Sequence, residues 1–302
     1  MTAILHLSVL AAVSLALLVS GAHRWGVVPL ALAVSAPHFA VVALWLLRDR
    51  HHGRLTEGRA ARVMADALHG PANRVVELGA LWAGASWSWS LPSSGVLDGA
   101  STPVMVLAYM VALDVVGSAL HRIMHEWAPA WAVHEIHHQP VDMSPALVGR
   151  KHVLTLALAA AVSASVGALL GGDPAQLWPL AIITPVWSYL NHADIRLPVG
   201  PLAYVLVTPQ YHAIHHSADP QHHDRNYAAR FVFIDLLMGT ARFDFDAVRE
   251  YGTGERPTWE ATRPTVAAAA RAWWGGLWHP VRRWFGMKSP QIPAPELRDV
   301  RG

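Results

Sequence analysis

The chain of 302 residues contains no cysteine. That removes disulfide frameworks, thiolate zinc sites, iron-sulfur clusters and cysteine nucleophiles together, so a bound metal must use nitrogen or oxygen ligands. Charge is also scarce: 15% of the residues are Asp, Glu, Lys or Arg, against roughly 25% in an average soluble protein. Lysine is nearly absent, with Lys151 and Lys288 beside 21 arginines. The net charge of +2 is too small to point to nucleic acid, which is not expected as a partner. Abundance lies elsewhere, in the 53% of apolar residues and in the 19 histidines.

A bilayer crossing needs about 20 apolar residues. Runs of that kind lie near 3–20, 27–47, 75–91, 104–120 and 153–170, and a shorter one, 178–191, carries Pro179 and Pro185. The first run has no Lys or Arg before it and no small-residue cleavage pattern after it, so it reads as a span rather than a secretory signal. With the N-terminus in the cytoplasm, the outer loops 21–26, 92–103 and 171–177 hold one basic residue, Arg24, and the inner segments hold the other 22. Short loops weigh most in this rule, so Arg48, Arg50, Arg54, Arg59, Arg62 and Arg74 set the orientation. The expectation is an all-α integral membrane bundle of four to six membrane helices under a cytoplasmic helical cap. It is placed in a bacterial cell membrane, with both termini cytoplasmic. Beyond the spans, 265–285 mixes alanine with Trp273, Trp274, Trp278 and Trp284 beside Arg271, Arg282 and Arg283, the composition of an interfacial helix. From Met287 onward the proline-rich tail is expected to be unstructured.

Twelve of the histidines fall between 121 and 223. His121 and His125 are four apart and share a helical face with Asp114, placed to hold an imidazole N–H. His134, His137 and His138 stand at i, i+3 and i+4; His212, His215 and His216 repeat the spacing, and His192 closes the sixth run. In the expected topology all nine lie at the cytoplasmic ends of spans. Nine nitrogens exceed the roughly four a zinc ion takes and suit two ions with open positions. Imidazole is compatible with iron, zinc, copper or nickel. The isolated His6, His23, His38, His69 and His279 read as satisfied polar residues, and His51 and His52 as part of a basic face.

Two other classes fit parts of the pattern. His134 to His138 contains H-E-x-x-H, the signature of a zinc metalloprotease with Glu135 as general base, but an intramembrane protease leaves His121, His125, His212, His215 and His216 without a role. Non-catalytic metal binding or transport would favour polar ligands inside the spans, whereas the clusters lie outside them.

Over residues 104–241 the sequence resembles the fatty acid hydroxylase and sterol desaturase superfamily of membrane di-iron enzymes. Asp114, then His121, Arg122 and His125 are similar to its aspartate followed by H-R-x-x-H; His134–His138 and His212–His216 are similar to its two H-x-x-H-H elements. The stretch 146–152, ending in Arg150, Lys151 and His152, and the segment from Asn191 and His192 also resemble the family. So do Asp224, Asn226 and Tyr227, and the closing Asp235, Gly239 and Thr240. Ala228, Ile234 and Gln139 depart from its usual residues, and Arg196 stands where fatty-acid 2-hydroxylase relatives carry a second histidine.

The resemblance implies two irons, dioxygen as co-substrate, and hydroxylation of an unactivated C–H bond in a lipid or other apolar substrate, with desaturation as the alternative outcome. It implies an external electron donor, a ferredoxin or a haem carrier with its reductase, because no haem carrier domain and no cysteine are in the sequence. The implied metal ligands are His121, His125, His134, His137, His138, His192, His212, His215 and His216, with His152 and His223 as further candidates. Asp114 is the expected orienter, joined by Asp224 and Asn226 or, in the plainer reading of those two, by turn capping. The domains expected are 1–103, spans and basic loop; 104–241, catalytic; and 242–302, interfacial helix and tail.

Overall fold

The computed structural model describes residues 27–88, 93–254 and 265–287. Among them the structure is all helical, with two isolated bridges, Leu206 with Phe231 and Ser217 with Tyr251, as the only β pairing. Ten α-helices follow in order: α1 Val27–His51, α2 Glu57–Ala67, α3 His69–Ser88, α4 Thr102–Glu126, α5 Ala128–His138, α6 Val153–Leu170, α7 Trp178–Asn191, α8 Pro209–His215, α9 Val232–Met238 and α10 Val266–Trp284. The first expected span, 3–20, and the tail from 288 lie outside the described residues.

The other five apolar runs are helical wherever their residues are described. Two of these helices, α4 and α6, are long and apolar enough to cross a membrane. A soluble core helix is buried all round, yet only 28% of the most apolar window of α4 and 22% of that of α6 is buried. Most of their exposed positions are apolar, among them Val104, Leu107, Val115 and Val116 on α4 and Leu154, Leu158 and Leu169 on α6, while Ser163 and Ser165 on α6 turn their hydroxyls back to the carbonyls of Ala159 and Ala161. The two run antiparallel, joined at one end where Tyr109 Oη donates to the Gly171 carbonyl at 2.9 Å and packed through Met105, Tyr109 and Val166. α7 has 14 residues, about 21 Å at 1.5 Å each, short of a roughly 30 Å hydrocarbon core.

At the opposite end the chain folds into a polar layer. Trp127 ends α4 and starts α5 with no loop between them, and Pro129, which has no N–H to leave unpaired, sits in the first turn of α5. This corner turns the end of α4 toward the face of α5. Thr208 caps α8 by accepting from Tyr211 N, with Pro209 opening the helix. Gly239 ends α9 in the left-handed region, at φ 70°.

Candidate metal centre

Nine imidazoles converge on two points. His121 and His125 from α4, His134 and His138 from α5, and His215 from α8 form one group; His137 from α5, His192 from the end of α7, and His212 and His216 at α8 form the other. Within each group the nitrogen atoms lie within 4.8 Å of one another. The i, i+3, i+4 spacing explains the division: on α5, His134 and His138 share a stripe while His137, one position round the helix, faces the second group.

Hydrogen bonds decide which nitrogen faces inward. Nδ1–H of His121 donates to the Tyr227 carbonyl at 2.9 Å and that of His215 to the Arg225 carbonyl at 2.8 Å. In the second group His137 donates to the Arg150 carbonyl at 3.2 Å and His192 to that of Ser188 at 2.8 Å. A carbonyl can only accept, so these four rings carry their proton on Nδ1 and present the Nε2 lone pair inward. His137 and His192 then place two Nε2 lone pairs 3.2 Å apart, which is repulsive without a cation between them. The other inward pairs are similar: His121 with His134 at 2.9 Å, His138 with His134 at 3.1 Å, His212 with His192 at 3.3 Å and His216 with His212 at 3.1 Å. Two nitrogens each about 2.1 Å from one ion stand about 2.9 Å apart at a right angle and about 3.4 Å apart at the tetrahedral angle. Nε2 of His125 and Nε2 of His215 are buried with no partner. Donor chemistry, spacing and orphaned atoms all fit metal ions.

Burial first, and neighbouring imidazoles after it, hold His134, His137, His138, His212, His215 and His216 well below the ordinary histidine pKa of 6.5. Burial pushes His192 down to about 4. The rings are therefore neutral at pH 7, as ligands must be.

Asp114 departs from the sequence expectation. Seven residues is two helical turns, about 10 Å along the axis, and its carboxylate meets backbone rather than an imidazole. It accepts from the N–H groups of Ala229, Arg230 and Phe231 at 2.8 to 2.9 Å. Asp235 takes the two preceding ones, Tyr227 and Ala228, at 2.8 and 3.0 Å, together with the Tyr211 hydroxyl at 3.0 Å and that of Thr240 at 2.7 Å. Two buried carboxylates thus grip five successive N–H groups of the segment whose carbonyls, at 225 and 227, hold His215 and His121.

Asn226 fits the turn-capping reading. Its Nδ2 donates to the carbonyls of Tyr211 and Arg242, and its Oδ1 accepts from Arg242 N. Asp224 is exposed, 3.8 Å from His125 Nδ1, and accepts from the Tyr227 hydroxyl at 3.4 Å. Both residues have φ of 57°, a conformation that Asn and Asp tolerate better than most.

His152 and His223 stand outside both groups. His152 caps α6, its Nδ1 accepting from Leu154 N and its Nε2–H donating to the Leu277 carbonyl, so both nitrogens are engaged. His223 is exposed. Glu135 points away from the metal groups: 2% exposed, it accepts from His279 Nε2 at 2.8 Å and lies 3.4 Å from Arg283 Nε on α10. A general base turned from the metal does not serve a protease. Among the isolated histidines, His38 bonds the Tyr189 hydroxyl at 3.2 Å. Nε2 of His69 is buried without a partner, against expectation.

Sequence reasoning did not assign roles to Arg150, Asp66 or Asp235. Arg150, 2% exposed, donates to the Ile136 carbonyl at 2.8 Å, to Asp66 at 2.5 Å and to Gln139 at 3.3 Å. It braces the segment whose carbonyl holds His137. The 146–152 stretch and the closing aspartate were visible as motifs; their function as props was not.

The helices thus bring together two all-histidine groups, each able to hold a metal ion. Residues 106–240, a little under half of the chain, match the fatty acid hydroxylase family model, which supports the superfamily resemblance of the histidine motifs. It is 29% identical over 140 residues to an ornithine lipid hydroxylase of Rhizobium tropici, covering 44% of this chain and 42% of that protein. It is 30% identical over 131 residues to an alkylglycerol monooxygenase of Danio rerio, covering 42% and 28%. A very-long-chain aldehyde decarbonylase of Oryza sativa is 25% identical over 156 residues, covering 50% and 48%. The chain spans less than half the length of these curated relatives. No solved structure matches it.

Proposed function

We propose that the protein is a membrane-embedded, dioxygen-dependent di-iron hydroxylase acting on a lipid. The two groups of inward-facing imidazoles carry the reading, and the names of the relatives direct it to lipid oxidation. The nine grouped histidines are its metal ligands; His152 and His223 are left out because neither reaches a group. The spans number four to six, the catalytic domain is 104–241, and the basic face after α1 sets the site on the cytoplasmic side.

Iron and dioxygen, when bound, supply the oxidant that removes hydrogen from an unactivated C–H bond. Overall, substrate, one O2, two electrons and two protons give the alcohol and one water, and the electrons come from a separate donor protein. The chain's own contribution is positional. Backbone carbonyls hold four rings with Nε2 inward, Asp114 and Asp235 fix the carbonyls of the 225–231 segment, and Arg150 fixes its own. Trp131 packs against His125 and His138 at ring distances of 5.0 and 5.5 Å, beside the first group.

Purified protein given ferrous iron is expected to hold about two ions per chain, one for each group. Lipids from expressing cells should contain a species one oxygen atom heavier than in non-expressing cells. Metal content of zero or one with activity intact contradicts the reading; loss of two hydrogens instead of gain of oxygen identifies a desaturase.

A further inference from the structure

Helix α10 lies across the ends of other helices. Trp273 Nε1 donates to Asn73 Oδ1 in the first turns of α3 at 2.9 Å. The Leu277 carbonyl accepts from His152, the cap of α6, at 3.1 Å. Trp284 Nε1 donates to the Pro129 carbonyl at 2.9 Å, beside the end of α4. In eleven residues, about 17 Å of helix, α10 therefore passes the ends of α3, α6 and α4 on the side that carries the metal groups. A helix that crosses the ends of spanning helices runs along the membrane plane.

Its two faces differ. Ala272, Gly275, Gly276 and His279 are buried against the protein. The opposite face exposes Trp274 at 57%, Trp278 at 43% and Phe285 at 77%, with Arg271 exposed and Arg282 half-buried on the same stripe. Indole rings beside guanidinium groups, level with the ends of spans, suit the headgroup layer. There the rings sit between water and hydrocarbon, and each arginine is drawn to an anionic surface.

We propose that α10 is an in-plane membrane helix on the site-bearing leaflet, with Trp274, Trp278 and Phe285 among the headgroups and Arg271 and Arg282 on anionic lipid phosphates. It rests on the reading of α4 and α6 as membrane spans. The inner face of the same helix holds Glu135 of α5 through His279, so the membrane-lying helix also braces the helix bearing three of the nine histidines.

A chain without cysteine allows single-cysteine spin labelling of the full protein in vesicles of phosphatidylcholine with or without phosphatidylglycerol. Three positions are compared by collision with oxygen and with a water-soluble nickel complex: Leu158→Cys on the outer face of α6, Trp278→Cys on α10, and Gln221→Cys in an exposed turn. Leu158 should read hydrocarbon, Gln221 water and Trp278 the headgroup layer. Trp278 should read deeper when phosphatidylglycerol is present, and Arg271→Gln with Arg282→Gln should abolish that difference. Phe285→Cys repeats the measurement should the Trp278 variant lose its metal.

A Trp278 label as open to nickel as Gln221, with Leu158 in hydrocarbon, overturns the proposal alone. So does a label shielded from both reagents, the signature of a second copy or another protein on that face. A depth that ignores phosphatidylglycerol overturns the role of the arginines. A Leu158 label in water removes the membrane reading itself, and the proposal with it.

Discussion

The two metal groups are built from the same residue type and held by different means. In the first, His121 and His215 are oriented by carbonyls of an irregular segment, 225–231, which two buried carboxylates grip through five successive N–H groups. In the second, His192 is held by a carbonyl of its own helix, at Ser188, and His137 by Arg150, whose side chain is clamped to Asp66 and the Ile136 carbonyl. As whole residues His121 and His125 of the first group are partly exposed, although the His125 side chain is buried, whereas all four histidines of the second group are buried. Each half can therefore be loosened separately.

Removing a ligand should show the largest effect. His137→Ala is expected to lower iron from about two ions to about one per chain and to abolish lipid oxidation, measured by metal analysis and product mass. Retention of two ions would deny His137 a place in the second group. Next come the props. Asp235→Asn should weaken metal in the first group about 10- to 100-fold, the usual cost of losing a residue that orients a ligand, and Asp66→Asn should do the same to the second. Release to a chelator should be biphasic in the unaltered protein, with one phase for each group. Each variant should accelerate a different phase; both accelerating the same phase would remove the distinction drawn between the halves.

Acid should act on both groups, and its sign follows from burial. The pKa of His192 is pushed down to about 4, so the unfolded chain binds its proton first, near the ordinary value of about 6.5. Stability linked to His192 is complete above about pH 6.5 and declines as pH falls toward about 4. Metal-free protein should lose thermal stability across that window, followed by scanning calorimetry, and a stability that rises on acidification would contradict the burial. The smallest effect is expected at Glu135. Since it faces α10, Glu135→Gln should retain lipid oxidation within about tenfold, the lower end of the loss seen when an orienting residue is replaced. Complete loss with both metals retained would return it to a chemical role.

Much of this site was legible because helical spacing and ligand chemistry are both local. A pair at i, i+4 and two clusters at i, i+3 and i+4 announced imidazoles on common faces, and the corner at Trp127 with Pro129 brought the first two together. Spacing also placed five apolar helices, although only α4 and α6 combine the length and hydropathy of a full crossing. The supporting contacts were not legible, since they join residues distant in sequence. Asp114 meets the 229–231 backbone 115 to 117 residues away, and Arg150 meets Asp66 across 84. His152 shows the converse limit: a histidine closing the 146–152 motif was a fair ligand candidate until its two nitrogens proved to cap α6 and bond α10. Glu135 shares the H-E-x-x-H spacing of a protease, and only the packing of α10 reveals which way it faces.

The most direct test of a two-metal oxygenase is to supply 18O2 to the iron-loaded protein in membrane vesicles with an electron donor and to weigh the lipid products. The reading predicts one 18O atom in the new hydroxyl group, with product formation lost in His137→Ala. Oxygen drawn from water, or product formed without dioxygen, would contradict it.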